Sequence, residues 1–226
     1  RMVTLAYDIE WIGQDPFRKF KQKLIPTHRG HLTGKELELL EEVTLHSLRL
    51  RTVKDLFVFS CYTGISYIDM MLLSEKSLVL GLDKRMWIAT KRQKTRNPVK
   101  IPLLSKALNI IKIYREDKRC QIYGTLFPKI SNQKVNAYLK EIAIAAGIQK
   151  NITFHMARHT FATTVTMTNG VPIETISKML GHRKLTTTQI YAKVIEQKVF
   201  DDMEILREKL EINKAPYKSK NTKRIH

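Results

Sequence analysis

Cysteine is almost absent from this chain of 226 residues, which contains only Cys61 and Cys120. Two thiols are too few for a disulfide scaffold or for a zinc site with four thiolate ligands, so we expect reduced cysteines in a cytosolic protein. Long apolar runs are also missing, because no segment approaches the ~20 residues of a membrane span. These absences argue against a disulfide-rich secreted module and against a membrane-spanning protein.

Two further signals are missing from the sequence. There is no Gly-rich phosphate-binding loop of the Walker type, which argues against an ATPase. The N-terminal segment, RMVTLAYDIEWIG, lacks the continuous apolar stretch of a secretory signal peptide. Because it also begins without Met, we expect the chain to be a fragment of a longer protein.

Acidic residues are scarce relative to basic ones. The chain has 40 Lys and Arg against 21 Asp and Glu, which gives a net charge of +19 at pH 7. A surplus of this size favours a polyanionic partner, with nucleic acid ahead of an anionic membrane. Solubility by charge alone is the competing interpretation.

Hydrophobic periodicity predicts a mainly α-helical domain with a small three-stranded antiparallel β-sheet. The predicted strands are residues 77–80, 86–90 and 99–103. Helices are predicted within residues 1–15, after a capping box at Thr33 and Glu36, and at 51–63, 66–73, 105–115, 132–146, 154–168, 173–180 and 195–211. We expect three parts: residues 1–31 as the tail of a preceding domain plus a basic linker, 32–212 as the main domain, and 213–226 as a disordered basic tail. The linker is either a solvated tether or a strap across DNA phosphates.

The stretch from residue 154 to 194 combines a cation, proton carriers and a phenol. Arg158 offers a planar fork for two phosphate oxygens, and His155, one helical turn away, can donate to the same phosphate or accept a proton. His182 adds a donor, while Lys94, in a predicted hairpin turn, can protonate a leaving oxygen. Tyr191 would be the nucleophile that attacks phosphorus. Each residue taken alone has a structural explanation, so the hypothesis depends on the joint arrangement.

A metal site is the main chemical alternative for this stretch. His155 and His159 have the i, i+4 spacing of a helical zinc pair, but Met156 stands where a zinc protease carries Glu, and Arg158 would lie beside the cation. We therefore expect no metal and no cofactor. His159, on a different face from Arg158, is interpreted as structural.

These residues resemble the motifs of tyrosine recombinases, the phage-type integrase family. The segment HMARHTFAT at 155–163 is similar to the family's H-x-x-R-H-x-F-A box. The L-G-H at 180–182, with Tyr191 nine residues after the His, resembles the family's nucleophile segment. Lys94-Thr95 followed by VKIPL at 99–103 looks like its β-hairpin lysine segment. The resemblance covers about residues 32–210 and implies the tyrosine recombinase catalytic-domain fold.

The resemblance also implies a function. It predicts cleavage and rejoining of double-stranded DNA attachment sites through a 3′-phosphotyrosine intermediate, without cofactor, by Tyr191 with Arg158, His155, His182 and Lys94. It implies a C-shaped clamp closed by a preceding core-site DNA-binding domain, of which residues 1–31 would be the end. It further implies a tetramer on synapsed DNA in the bacterial cytoplasm, with possible accessory DNA-bending proteins; the isolated fragment is expected to be a monomer.

One position departs from the family pattern. The family usually has Arg at the end of a T-G-x-R segment, where this chain has Ser66. We expect a substitute cation, with Arg92 first and Lys54 second; Arg92 would share the face of Lys94 if the strand continued that far. Recombinases of Bacteroides-type conjugative transposons resemble this Ser variant, which favours a mobile-element integrase over an invertase or a host resolvase.

Two other functions stay open at the level of sequence. One is a type IB topoisomerase-like enzyme, and the other is a DNA-binding relative that the change at Ser66 has impaired. The predicted helix at 195–211 either packs on its own domain or docks on a neighbouring protomer.

Overall fold

The computed structural model describes residues 2–20, 30–192, 203–204 and 206–207. The α-helices are α1 (Met2–Asp8), α2 (Gly34–Glu42), α3 (Leu48–Thr63), α4 (Tyr67–Met70), α5 (Ser105–Tyr114), α6 (Lys118–Tyr123), α7 (Asn132–Ala145), α8 (Phe154–Thr160), α9 (Ile173–Leu180) and α10 (Thr186–Ala192). The strands are β1 (Leu78–Leu80), β2 (Met86–Lys91) and β3 (Pro98–Pro102). The prediction of a mainly helical domain with one small antiparallel sheet is confirmed.

Helix α3 lies at the centre of the core. It is apolar on most sides, and Leu56, Phe57 and Phe59 are all fully buried. Helices α2, α5, α7 and α8 pack against it. The helix ends at Gly64, whose φ of +68° is unfavourable for residues with a side chain. A Cβ at Gly64 would also overlap the Phe161 ring.

The sheet is a meander in which β2 pairs with β1 on one side and with β3 on the other, both antiparallel. Alternation places Val99 and Ile101 of β3 in the core while Lys100 faces solvent. Strand β2 ends at Lys91, so Arg92 already belongs to the turn. The conditional prediction that Arg92 and Lys94 share a strand face is therefore wrong: Arg92 is half-buried and Lys94 is exposed.

Leu32, just before α2, contacts α8 and the segment that follows α8. The Leu32 N–H donates to Thr160 Oγ1 at 3.0 Å, and the Thr164 hydroxyl donates to the Leu32 carbonyl. The predicted capping box follows, because Thr33 accepts from the Glu36 N–H and the Glu36 carboxylate accepts from the Thr33 N–H. These contacts fix the start of α2 against the helix that carries Arg158.

Several boundaries differ from the sequence prediction. The predicted helix at 154–168 is α-helical only to Thr160 and continues as a π-helix, Phe161–Thr166, and a 3₁₀ turn, Met167–Asn169. The N-terminal helix is shorter than predicted and α3 begins three residues earlier, at Leu48. Helices α6 and α10 were not predicted. The tail at 213–226 lies outside the described residues, as does the 195–211 helix except at 203–204 and 206–207.

None of the helices in the described part of the chain combines the length and apolar character needed to cross a membrane.

Candidate active site

Arg158 occupies a buried position between two helix ends. Its side chain is 4% exposed. Nη1 donates to the Gly64 carbonyl at 2.6 Å, at the C-terminus of α3, and Nη2 donates to the Leu180 carbonyl at 2.5 Å, at the C-terminus of α9. The last carbonyls of a helix lack intrahelical partners and carry partial negative charge, so the two ends together stabilise the guanidinium.

The pKa of Arg158 reflects its burial and its charged neighbours. Burial and the neighbouring Arg92 guanidinium lower the pKa of Arg158 to about 9, while Tyr191 and Asp69 act in the opposite direction. The group remains a cation at neutral pH. A buried cation held by two carbonyls and by His182 Nε2, next to a second cation, is a site that favours an anionic ligand.

Arg92 lies beside Arg158 and shares its acceptor. The Arg92 Nη1 donates to the Leu180 carbonyl at 2.8 Å, the same oxygen that accepts from Arg158. The other side of Arg92 faces Asp69, and its Nε lies 2.9 Å from Asp69 Oδ2 in an ion pair. The Nε–H does not point at that oxygen, so the contact is not a hydrogen bond. Gly181 permits this approach, since a Cβ there would lie 3.0 Å from Arg92 Cγ and 2.7 Å from Val99 Cγ2.

Asp69 connects this pair to Ser66 and to the hairpin. Its carboxylate accepts from the Ser66 hydroxyl at 2.6 Å and from the Gln93 N–H at 2.8 Å. Ser66, at the position where the family pattern has Arg, therefore binds the same carboxylate that Arg92 contacts. The hydrogen bond to Gln93 fixes the residue that directly precedes Lys94 in the turn.

His182 links Arg158 to α10. Its Nε2 is 3.1 Å from Arg158 Nη2, and its Nδ1 is 2.7 Å from the hydroxyl of Thr188, which is fully buried. Burial first, and then the nearby Arg158 and Arg92, lower the pKa of His182 to about 4. The imidazole is thus neutral at pH 7.

Tyr191 lies in a small apolar cluster with Phe161, Ile176 and Leu180, and is 5% exposed. Its ring centroid is 5.2 Å from that of His159, which in turn is 4.8 Å from His155. The three rings form a row from the protein surface, where His155 is exposed, to the buried phenol. His159 is therefore a neighbour of Tyr191, a role that sequence reasoning missed.

The signal for His159 was available in the sequence. The i, i+4 spacing of His155 and His159 places both on one helix face, and that spacing was considered only for a metal. The position of Tyr191 against this face depends on long-range packing, which spacing alone does not show.

Lys94 and Lys54 lie in different surroundings. Lys94 is exposed in the turn between β2 and β3, and the next residue, Thr95, accepts a hydrogen bond at its carbonyl from Arg183 Nη2 at 3.0 Å. Lys54 donates to the carbonyls of Glu41 and Val43 at the end of α2. It stands ten residues before Gly64 in α3, about 15 Å of helix from the Arg158 end. The structure thus brings Arg92, but not Lys54, to Arg158.

Comparison with known proteins identifies the family to which this chain is similar. The Phage integrase family matches residues 30–198. Tyrosine recombinase XerD of Staphylococcus saprophyticus is 30% identical over 176 residues, which cover 72% of this chain and 57% of the relative. XerD of Lacticaseibacillus casei is 26% identical over 199 residues, covering 82% of this chain and 66% of the relative.

A solved structure has the same fold. The integrase of transposon Tn1549, in complex with transposon right end DNA, superposes with a TM-score of 0.65 at 17% sequence identity, covering 92% of this chain and 75% of that chain. The chain therefore spans little more than half the length of its staphylococcal relative and matches the phage integrase model over most of its own length. With the Arg158 pocket and the nearby Tyr191 already described, these matches show that the chain belongs to the phage integrase family of tyrosine recombinases.

Proposed function

We propose that this chain is the catalytic part of a site-specific DNA recombinase that cuts and rejoins strands through Tyr191. One observation carries the proposal. The guanidinium groups of Arg158 and Arg92 converge on the Leu180 carbonyl, and Tyr191 lies in the same apolar cluster as Leu180 and close enough to Arg158 to affect its pKa. His182 Nε2 adjoins Arg158. Two fixed guanidinium groups next to a phenol suit stabilisation of a pentavalent phosphorane by charge.

The proposed reaction conserves the phosphodiester energy. The Tyr191 oxygen attacks the scissile phosphorus, forms a 3′-phosphotyrosyl bond, and breaks the bond to the 5′ oxygen. The phenol proton passes to a base, for which His155 is the candidate, and Lys94 donates a proton to the leaving 5′ oxygen. A 5′-hydroxyl from another strand then attacks the phosphotyrosine and reverses each transfer.

The first test is covalent capture on nicked duplexes that carry candidate attachment sequences. We expect a denaturation-resistant protein–DNA adduct, with mass spectrometry locating the link at Tyr191. The variant Tyr191→Phe should form no adduct while retaining DNA affinity within about twofold, because the phenol oxygen supplies a bond and little ground-state binding. Tyr123→Phe, which removes an exposed phenol on α6, is the matched control and should react like the unmodified chain.

The other outcomes separate the rival functions. Tight binding without any adduct would contradict the proposal and favour a DNA-binding relative that has lost activity. Relaxation of supercoiled plasmids that lack an attachment sequence would favour a type IB topoisomerase-like enzyme.

We also propose that Arg92 supplies the cation that is missing at Ser66. Its support is the shared Leu180 acceptor and the ion pair with Asp69, the residue that also binds Ser66. Lys54 is the weaker candidate, because its ammonium is engaged at the end of α2. Arg92 would approach the scissile phosphate from the hairpin side, while Arg158 approaches from α8.

The test is a charge-relocation experiment. Arg92→Ala should lower the cleavage rate by about 10²- to 10³-fold, the usual effect of removing one oxyanion donor. Adding Ser66→Arg to that variant should restore a substantial part of the rate, because the new guanidinium starts from the family's usual position. Arg85→Ala, in the exposed β1–β2 turn, controls for lost net charge. An Arg92→Ala protein that cleaves at the original rate would exclude Arg92.

The change at Ser66 also bears on the biological setting. We propose that the whole protein integrates or excises a mobile element, because the Ser66 variant resembles Bacteroides-type conjugative transposon recombinases. We further propose that residues 1–31 join a preceding DNA-binding domain and that 32–212 is the catalytic domain. We also propose that a tetramer assembles on synapsed DNA in the bacterial cytoplasm, where DNA-bending proteins assist it.

Excision of a marked element in cells expressing the full-length gene, compared with Tyr191→Phe, tests the mobile-element role. Sedimentation with and without residues 195–226 tests whether that segment docks on a neighbour.

A further inference from the structure

Thr188 occupies an unusual place for a threonine in a short helix. It is fully buried, whereas its neighbours in α10, Thr186 and Thr187, are exposed. Its hydroxyl lies 2.7 Å from His182 Nδ1, six residues earlier in the chain. It also stands three residues before Tyr191, so the two residues are one helical turn apart on neighbouring positions of α10.

The contacts of His182 determine which ring nitrogen carries the proton. A guanidinium can only donate hydrogen bonds, so Nε2, at 3.1 Å from Arg158 Nη2, must be the acceptor. A neutral imidazole has one donor and one acceptor nitrogen, and the proton is therefore on Nδ1. At 2.7 Å, the acceptor for that proton is the Thr188 oxygen.

We propose that Thr188 is a positioning residue for the reaction: its hydroxyl accepts the hydrogen bond from His182 Nδ1–H and so stabilises the tautomer that Arg158 selects, keeps Nε2 directed at Arg158, and ties the helix of Tyr191 to the phosphate pocket. This inference rests on the proposed function. In the other tautomer an Nε2–H would face a guanidinium N–H, and the two donors would push Arg158 and His182 apart. The buried hydroxyl thus orients the cation that would bind the scissile phosphate.

The contact also explains how α10 is placed. The helix has only seven residues, three of them threonine, and such a short segment is marginal without tertiary contacts. The hydrogen bond from His182 reaches the middle of α10, while Tyr191 packs in the apolar cluster at its end. Loss of the hydroxyl would remove the contact that orients the His182 imidazole. It would also remove the contact that holds the middle of α10, and so the position of Tyr191 would be less fixed.

The test combines a spectroscopic readout with a kinetic one. Long-range ¹H–¹⁵N spectra of the DNA-free chain report the tautomer of each histidine, and the His182→Asn variant assigns the His182 signal. We expect the Nδ1–H form in the unmodified chain and in Thr188→Ser, and a mixed or Nε2–H form in Thr188→Val. Cleavage of the nicked duplex should fall by about 10- to 100-fold in Thr188→Val, the cost of stranding one buried donor, and by less than about threefold in Thr188→Ser.

The matched control is Thr187→Val, which makes the same change at an exposed position of the same helix and should alter neither readout. An Nε2–H tautomer in the unmodified chain would overturn the inference even if Thr188→Val failed to fold. So would a Thr188→Val protein that keeps the tautomer or the cleavage rate. Because the spectra need no DNA, they remain decisive if the unmodified chain forms no adduct, a result that would count against the proposed function.

Discussion

Two apolar clusters of very different size hold different parts of this domain in place. The larger has 35 buried residues among those described and runs from Leu32 through α3 and the sheet to Ala157 in α8. The smaller has six, contributed by the π-helical segment, the 3₁₀ turn after it, α9 and α10, and Tyr191 is one of them. The fold is thus held by one cluster and the proposed nucleophile by the other.

The difference in size indicates which part of the domain can move at a low cost in free energy. Segments with few buried apolar contacts open at lower free energy than the main core. Tyr191 is 5% exposed here, so under the proposed function its phenol would have to leave the small cluster to reach a DNA strand. Its place in the small cluster would let that movement occur while the large cluster stays intact.

Core truncations test the comparison with the largest expected effect. Phe59→Ala, in the large cluster, should lower the free energy of unfolding by about 3–5 kcal/mol, since it removes a fully buried ring. Ile176→Ala, also fully buried but in the small cluster, should cost about 2 kcal/mol, at the low end for such changes, because fewer neighbours surround it. Urea denaturation measures both. Equal losses would mean that the small cluster is as firmly packed as the large one.

Gly64 offers a second, smaller test because it stands where the two clusters meet. Gly64→Ala should cost about 2–4 kcal/mol, combining the left-handed backbone with overlap of a new methyl group and Phe161. Gly124→Ala is the matched control, since Gly124 also has a positive φ but a Cβ there would meet nothing within 4 Å. It should cost about 1 kcal/mol. Thermal denaturation of the pair measures the excess, and the absence of an excess would contradict the close contact at Gly64.

The smallest expected effect is a pH dependence of stability at the pocket. The pKa of His182 is about 4 in the folded chain, below its ordinary value of 6.5, so the unfolded chain binds more protons between these values. Stability should therefore fall as pH drops from about 6.5 to 4, and the group should have no effect above that window. Because the imidazole is partly exposed, we expect only about 1 kcal/mol, or roughly 2–4 °C in Tm.

The control for this experiment is His182→Asn. Its Tm should change less between pH 7.5 and pH 4.5 than that of the unmodified chain. An equal change in both proteins would assign the pH dependence to other groups.

Much of the large cluster could be predicted from sequence, because local signals agree with the fold there. The Thr33–Glu36 capping box and Gly64 after α3 both follow from local chemistry. The bounds of α9 between Pro172 and Gly181, in the small cluster, follow from the same kind of signal. Helix α6 was missed although Asp117 and Gly124 are a typical N-cap and C-cap. That signal was present and overlooked.

The small cluster was harder to predict for a physical reason. Helix α10 contains three consecutive threonines, which have low helix propensity, and its contacts with His182 and α9 override that preference. The change from α- to π-helix at Phe161 also has no simple sequence signature. Arg92 was identified by its charge and by its position two residues before Lys94 in the sequence. Its proximity to Arg158 depends on Leu180 and Gly181, which follow Arg92 by 88 and 89 residues.

Asp69 couples three parts of the pocket, because its single carboxylate accepts from Ser66 and from the hairpin backbone and pairs with the guanidinium of Arg92. Its side chain is 1% exposed, so a substitution that removes the Arg92 guanidinium leaves a buried carboxylate without that cationic partner. Arg92→Ala therefore perturbs Asp69 as well as removing a cation, whereas Ser66→Arg introduces a cation at a residue that already contacts the same carboxylate.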